Sequence, residues 1–355
     1  MKKTFAIFKN CLFYVLICIV MVLSSGCDNL HVEQIETITI EKQKNQRLFM
    51  LNNAQAQDLN ILILPEAYTH EDMNDFVADA CKLHSILKNT SPYSYLMDKL
   101  NIWYAAGYLS ESGELGSKKT AFGSGKPSDR TITIDEDSVV NAVAEAKLNP
   151  ANTIVVILVN TDAYIGYCTF YNGVRPTMAV CAARDNYYAT TIIHELGHAI
   201  GLLADEYDDD KAATESDVNR LKIRHDEGYY LNVSSSAENV AWRMIIDDDA
   251  YAMEQTGVYV GAYYCSSGMF RSTKNSAMCS HWPNYNAISR LRIYQQIYKS
   301  HTGKEPSYEL FRADDLLHPA IEWDWKTANQ NRCTITRSLY DDSIGKNFSH
   351  SCILE

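Results

Sequence analysis

Basic charge is scarce in this 355-residue sequence: 32 Lys and Arg stand against 44 Asp and Glu, for a formal net charge of −12. The cations are spread thinly and form no block. That argues against nucleic acid as a partner, because gripping phosphates requires clustered Lys and Arg. It also leaves no charged face with which to hold a membrane surface. No C-x-x-C pair occurs, which argues against a zinc-thiolate centre. Internal repeats and low-complexity tracts are missing too, and the length suits one large domain or two small ones.

The apolar stretch from Cys11 to Leu23 falls short of the roughly 20 residues that a membrane-spanning helix needs. Preceded by Lys2, Lys3 and Lys9, it fits the core of a signal peptide. Ser24-Ser25-Gly26-Cys27 follows and resembles a bacterial lipoprotein signal, although the aliphatic Leu23 stands one place early. The resemblance implies removal of residues 1–26 and lipidation of Cys27. The exported protein would then be lipid-anchored to the membrane of the bacterial cell envelope, at the outer membrane or surface. A plain secretory signal is the alternative, and it exports the protein as well. Removing residues 1–26 takes away three lysines and no acid, leaving 29 basic against 44 acidic residues, or −15. The expected membrane contact is therefore the lipid.

Of ten cysteines, Cys11 and Cys18 leave with the signal and Cys27 is the lipid site; Cys81, Cys168, Cys181, Cys265, Cys279, Cys333 and Cys352 remain. Export favours some pairing, and an odd number leaves at least one thiol free. Cys168 and Cys181 flank the turn signal Asn172-Gly173 and are candidates for a hairpin staple. Cys265–Cys279 and Cys333–Cys352 are further candidate pairs.

Residues 27–55 are polar and read as a leash. From there strand and helix patterns alternate. Leu59 to Leu64 reads as a buried strand, and Thr69 as a cap for a helix over Glu71 to Leu87. Asn101 to Leu109, Thr153 to Asn160 and Met178 to Ala183 read as strands. Glu136 to Leu148, Ser236 to Ile246 and Ala287 to Lys299 read as helices. The alternation argues an α/β fold, a catalytic domain over 56–300 with a sheet packed on the helix that follows Ala183. Residues 301–355 are a carboxy-terminal extension without assignment. Within it Trp323 and Trp325 alternate like a strand with one aromatic face, which suits a cover for the core edge.

That helix carries His194-Glu195-Leu196-Gly197-His198. Two histidines four apart share one helix face, so both imidazoles reach a single metal ion, while Glu195 stands where it can deprotonate a water. A catalytic zinc needs a third protein ligand and an open position. Asp205 is the first candidate, with Glu206 and His281 as rivals; alternatively both acids only orient the histidines. A straight helix would carry Asp205 about 16 Å along the axis from His194, too far to coordinate. Gly201 is expected to end the helix in the left-handed conformation so that the chain doubles back. Among Asp205 to Asp210, five of six residues are acidic, which reads as a solvated loop rather than a calcium site. Arg130 is a candidate for bidentate binding of a substrate carboxylate, or else for a surface ion pair. Tyr207 and Tyr285 are candidates to touch substrate as oxyanion donors.

The run from His194 through Leu203-Ala204-Asp205-Glu206-Tyr207 resembles the bacterial IgA-peptidase family of zinc metallopeptidases, a group related to metzincins. Leu62-Ile63-Leu64-Pro65-Glu66-Ala67-Tyr68, Ser128-Asp129-Arg130 and Leu158-Val159-Asn160-Thr161-Asp162-Ala163-Tyr164 match in order. Gly268-Met269-Phe270-Arg271-Ser272 and Asn275-Ser276-Ala277-Met278 complete the set, over about residues 55–300. The resemblance implies a metzincin-like α/β domain with a twisted mixed sheet packed on the active-site helix. It places Met278 in a methionine turn beneath a zinc ion. It also implies an endopeptidase acting on protein or peptide, with Glu195 as general base. The family's extra amino-terminal domain has no counterpart here, and 301–355 match nothing in it. Two other readings stay open: a metal-binding surface lipoprotein for adhesion or glycan handling, and a metal-dependent hydrolase of a non-peptide substrate.

Overall fold

The computed structural model describes residues 37–38, 48–55, 58–170, 175–320, 323–326 and 350–351. The signal segment 1–26, Cys27, the turn Asn172-Gly173, Cys333 and Cys352 lie outside the described residues. Among the described residues no helix is long and apolar enough to cross a membrane.

A six-stranded mixed sheet forms the centre. Its strands are β1 (Leu48–Asn52), β2 (Leu59–Glu66), β3 (Leu100–Ala105), β4 (Thr153–Val159), β5 (Gly166–Thr169) and β6 (Thr177–Ala182). Their spatial order is β1-β3-β2-β4-β6-β5. The four inner strands run parallel, and the two edges, β1 and β5, are antiparallel to their neighbours. Every residue of β2 and of β4 is buried, which is why both read as continuous apolar runs rather than alternating ones. Successive side chains still go to opposite faces. Ile61, Ile63, Val156 and Leu158 enter one core, whereas Leu62, Leu64, Val155 and Ile157 enter the other.

The larger core is covered by α1 (Met73–Asn89), α3 (Tyr188–Gly201), α5 (Ala287–Thr302) and α6 (Tyr308–Leu317), and the smaller by α2 (Glu136–Glu145) with Phe122 and Ile132. Beyond α3 the chain forms α4 (Glu215–Asp226) and a small antiparallel sheet in the order β7-β9-β8, from β7 (Val233–Ser234), β8 (Tyr259–Ala262) and β9 (Cys265–Arg271).

Several expectations are corrected. The segment read as leash already contains β1, because Leu48 and Leu51 bury their side chains on the sheet. Thr69 does not cap α1; it donates to Asp72 Oδ2 from both N and Oγ1 (2.8 and 2.7 Å), and the helix starts at Met73. Ser236 to Ile246 yields only a single turn, Arg243–Ile246, since Trp242 turns inward to bond the Gly257 carbonyl (2.7 Å). Packing continues past residue 300. Asp315 on α6 is buried and accepts from Arg290 Nε (2.9 Å) and Nη2 (2.7 Å), which locks α6 onto α5. Trp323 and Trp325 pack on the larger core, as expected, but residues 323–326 form no strand. Cys168 pairs across the sheet with Ala179, and Cys181 with Gly166, so the hairpin register offsets the two cysteines and both thiols are free. Cys265 and Cys279 are free as well.

Candidate active site

Helix α3 is apolar almost all round because it is wedged between β6 and β5 on one side and α5 on another. Tyr188, Ile192, Ile193 and Leu196 are fully buried, which leaves the His194 and His198 face as its opening to solvent. The glycine inside the motif has a packing reason. A Cβ on Gly197 would come within 2.5 Å of Met278 Sδ and 2.9 Å of Tyr285 Cε1. Met278, itself fully buried, thus lies in a turn directly against the helix at the level of the two histidines.

The chain reverses after α3, though not at the glycine. Leu202 takes the left-handed conformation (φ +53°), and its N–H donates to the His198 carbonyl at 3.0 Å. Gly201 stays helical and serves closeness instead, since a Cβ there would meet Ile293 Cγ1 of α5 at 2.8 Å. The Leu203 N–H reaches back to the Gly197 carbonyl at 3.3 Å, which closes the reversal and returns Asp205 to the histidine face.

Three atoms converge there. Asp205 Oδ1 lies 2.9 Å from His194 Nε2 and 3.3 Å from His198 Nε2, and the two Nε2 atoms are 3.1 Å apart. His194 Nδ1 donates to the Ala277 carbonyl (2.8 Å) and His198 Nδ1 to the Leu203 carbonyl (2.7 Å). A carbonyl only accepts, so each Nδ1 holds a hydrogen and each Nε2 can turn a lone pair toward the carboxylate. Lone pairs crowded together repel unless a cation joins them. Tetrahedral zinc with ligands at about 2.0–2.1 Å sets ligand atoms roughly 3.3 Å apart, close to the observed triangle. Among the described residues this is the one His, Cys, Asp and Glu cluster with metal-ligand proximity. Its electrostatics are strongly coupled. A proton can take the cation's part at His198: burial works to lower its imidazole, but the Asp205 carboxylate outweighs it and pushes the ring up to about 9. Burial likewise opposes the Asp205 charge, and the two imidazoles nonetheless hold that carboxyl well below its ordinary range.

Glu195 is 4% exposed, and its Oε2 has no hydrogen-bond partner within the protein. Burial raises this carboxyl, while His194 and His198 hold it back. Gly166 on edge strand β5 makes room for it: a Cβ there would sit 3.0 Å from Glu195 Oε1. A cleft of about 190 Å³ opens beside these groups, lined among others by Glu195, His194, Arg130, Tyr164, Tyr207 and His281.

The remaining candidates divide. Glu206 is fully buried and faces away from the triad, accepting from Ser276 Oγ (2.5 Å), Asn232 Nδ2 (3.0 Å) and Asn286 Nδ2 (2.9 Å). It ties the chain after α3 to the Met278 turn and to the start of α5. His281 stacks on Tyr187 (4.1 Å between ring centroids) in the cleft wall, outside the triad. Tyr285 is corrected: it lies beneath the helix with its hydroxyl donated to the Ile193 carbonyl, so it is closed to substrate. Tyr207 does line the cleft. Of the acidic loop, Asp205 and Glu206 are buried and only Asp208, Asp209 and Asp210 face solvent.

Tyr264, which residue type alone does not mark, donates its hydroxyl to Asp205 Oδ2. It stands with Tyr263 at the tip of the β8–β9 hairpin, where both residues have positive φ (+52° and +62°). Such turns favour Asn-Gly or Asp-Gly, so the Tyr-Tyr pair carries no turn signal. The carbonyls of Ala277 and Leu203, which orient the histidines, are equally invisible in a sequence.

Fold and site together define an α/β protein with a candidate His-His-Asp metal centre beside a buried carboxylate. The family model for IgA peptidase M64 matches residues 50–249, which is 200 of the 355, and the chain belongs to that peptidase family. Membership makes it a hydrolase of protein or peptide substrates. The match holds His194, Glu195, His198 and Asp205 but ends before Tyr264 and Met278, short of the residue near 300 to which the resemblance extends. No curated protein matches the chain.

Proposed function

We propose that this protein is an exported, zinc-dependent endopeptidase with a metzincin-like catalytic domain, held at the cell envelope by a lipid on Cys27. The observation that carries the reading is the convergence of His194 Nε2, His198 Nε2 and Asp205 Oδ1 beside the partnerless Glu195 Oε2. Two imidazoles and one carboxylate are a donor set that suits zinc and leaves a position open. Zinc held there would polarise the scissile carbonyl and lower the pKa of the attacking water towards about 7. Glu195 takes the proton of that water and passes it to the leaving amine, and its burial keeps bulk water from competing for it. The substrate backbone lies along the outer edge of β5 beyond Gly166, whose N–H is already given to the Arg130 carbonyl. In this reading residues 1–26 are removed, and the catalytic body includes the strand that begins at Leu48.

The test compares wild type with Glu195→Gln, both loaded with zinc, on a complex protein mixture, reading new amino termini by mass spectrometry. The variant keeps its metal and loses about 10²–10⁴-fold in the rate at which termini appear. Equal rates at equal zinc content would remove Glu195 from the role of base.

A further inference from the structure

Arg130 enters the cleft from a backbone that is held under strain. Asp129 and Arg130 both have positive φ (+48° and +67°), and Ser128 and Thr131 exchange backbone hydrogen bonds of 2.9 and 3.0 Å across them. This is a two-residue turn of the kind that favours Asn-Gly, here built from two side chains that resist it. The turn is fastened to the catalytic edge, because the Gly166 N–H donates to the Arg130 carbonyl (3.2 Å) and Gly166 packs against Glu195. The side chain is fixed as well. Its guanidinium lies 4.7 Å from the centre of the Tyr164 ring, and Nη2 donates to the Tyr164 hydroxyl at 3.0 Å.

What Arg130 does not have is an acid in ion-pair contact; Glu195 feels its charge only across the cleft. Among the described residues no carboxylate pairs with it; Arg243, which bonds a backbone carbonyl, shares this, whereas Arg175, Arg184, Arg220, Arg224, Arg271, Arg290, Arg292 and Arg312 each have one. Within the cleft lining Glu195 is the single carboxylate, and burial lowers the pKa of His281 against the pull of Asp185. An exposed guanidinium, placed by a strained turn and held over an aromatic ring, offers its free N–H groups to a planar carboxylate.

We propose that Arg130 recognises a carboxylate on the substrate, so that the preferred peptides have an acidic side chain or a free chain-terminal carboxyl close to the bond cleaved. The inference rests on the peptidase reading above and adds a substrate class to it. Arg130 acts here as a specificity-determining residue, and the proton steps remain with Glu195.

The experiment starts from one neutral peptide cleaved by the zinc-loaded enzyme. Glu or Gln is placed in turn at each of the neighbouring positions, and the parent peptide is also made with a free or an amidated carboxyl end. The kcat/KM ratio of each carboxylate peptide to its neutral twin is measured for wild type, Arg130→Gln and Arg130→Lys. At one position or at the chain end the wild-type ratio reaches about 10- to 100-fold, the range for hydrogen bonds to a charged group. It falls to near one in Arg130→Gln and stays intermediate in Arg130→Lys. The Glu series and the free-acid pair separate the two sources of the carboxylate. A wild-type ratio near one everywhere, or a ratio that survives Arg130→Gln, overturns the proposal. So does a uniform fall in kcat for every peptide, which would mark Arg130 as acting on the reaction itself. Equilibrium binding of the same peptides is measured on Glu195→Gln with and without Arg130→Gln. Absence of hydrolysis would then sink the peptidase reading, while the carboxylate preference is still decided by binding.

Discussion

At the residue scale, Asp205 uses both carboxylate oxygens. Oδ1 faces the two imidazoles, and Oδ2 receives the hydroxyl of Tyr264. A side chain so held is aimed before any ion arrives, and groups that orient ligands typically contribute 10- to 100-fold in metal affinity. Tyr264→Phe should therefore weaken zinc binding by about that factor in a chelator competition, without unfolding the protein. Asp205→Ala, which removes the charge and one of three donors, should weaken it more strongly. If Asp205→Ala binds zinc as tightly as wild type, the third ligand is another group.

At the element scale, the site depends on how closely α3 approaches the Met278 turn. Gly197→Ala would force Met278 Sδ and the Tyr285 ring aside, since the new Cβ would lie 2.5 and 2.9 Å from them. Overpacking of this kind costs about 1–3 kcal/mol, so thermal unfolding should show a lower Tm. An unchanged Tm would mean that the turn gives way freely. A second joint holds α6 to the body. The Arg312 guanidinium, with the Ala250 N–H and the Tyr308 hydroxyl, draws Asp248 down from 3.8 to about 2. Because the folded pKa lies below the unfolded one, this contact stabilises the fold above about pH 4 and is lost as pH falls through about 2. Wild type should be more stable than Asp248→Asn at neutral pH, and urea melts should show that gap shrinking between pH 4 and pH 2. A gap independent of pH would assign the effect to packing.

At the scale of the whole molecule, two cores share one sheet, and the chain after α3 draws on both the small sheet and α5 to complete the site. Residues far apart in sequence, such as Asp58 and His301, meet at 2.7 Å, so the end of α5 is fastened to the start of the central sheet. The proposed lipid on Cys27 tethers the catalytic body through the polar segment preceding β1. Replacing Cys27 by Ser should move the protein from the membrane fraction to the soluble fraction of fractionated cells. Full retention of the variant with membranes would dismiss the anchor.

Local pattern was enough for the inner strands, for α3 and for the pairing of His194 with His198, because helical spacing and apolar runs are properties of neighbouring residues. The α/β class was legible for the same reason; Trp323 and Trp325 do pack on the larger core, but without the strand their alternation suggested. The reversal after α3 was expected, but its agent was misplaced. Gly201 is the residue free to adopt a left-handed conformation, yet it is needed against Ile293, and the fold imposes that conformation on Leu202 instead. The choice between Asp205 and Glu206 lay beyond any local signal. Both are acids in one loop; Asn232, Ser276 and Asn286, from three distant segments, surround Glu206 and leave Asp205 to face the histidines. Tyr264 reaches Asp205 only because a strained hairpin carries it there, and Tyr285 is withdrawn because α3 covers it. Side-chain chemistry sets which residues can bind a metal or move a proton, and long-range packing decides which of them meet.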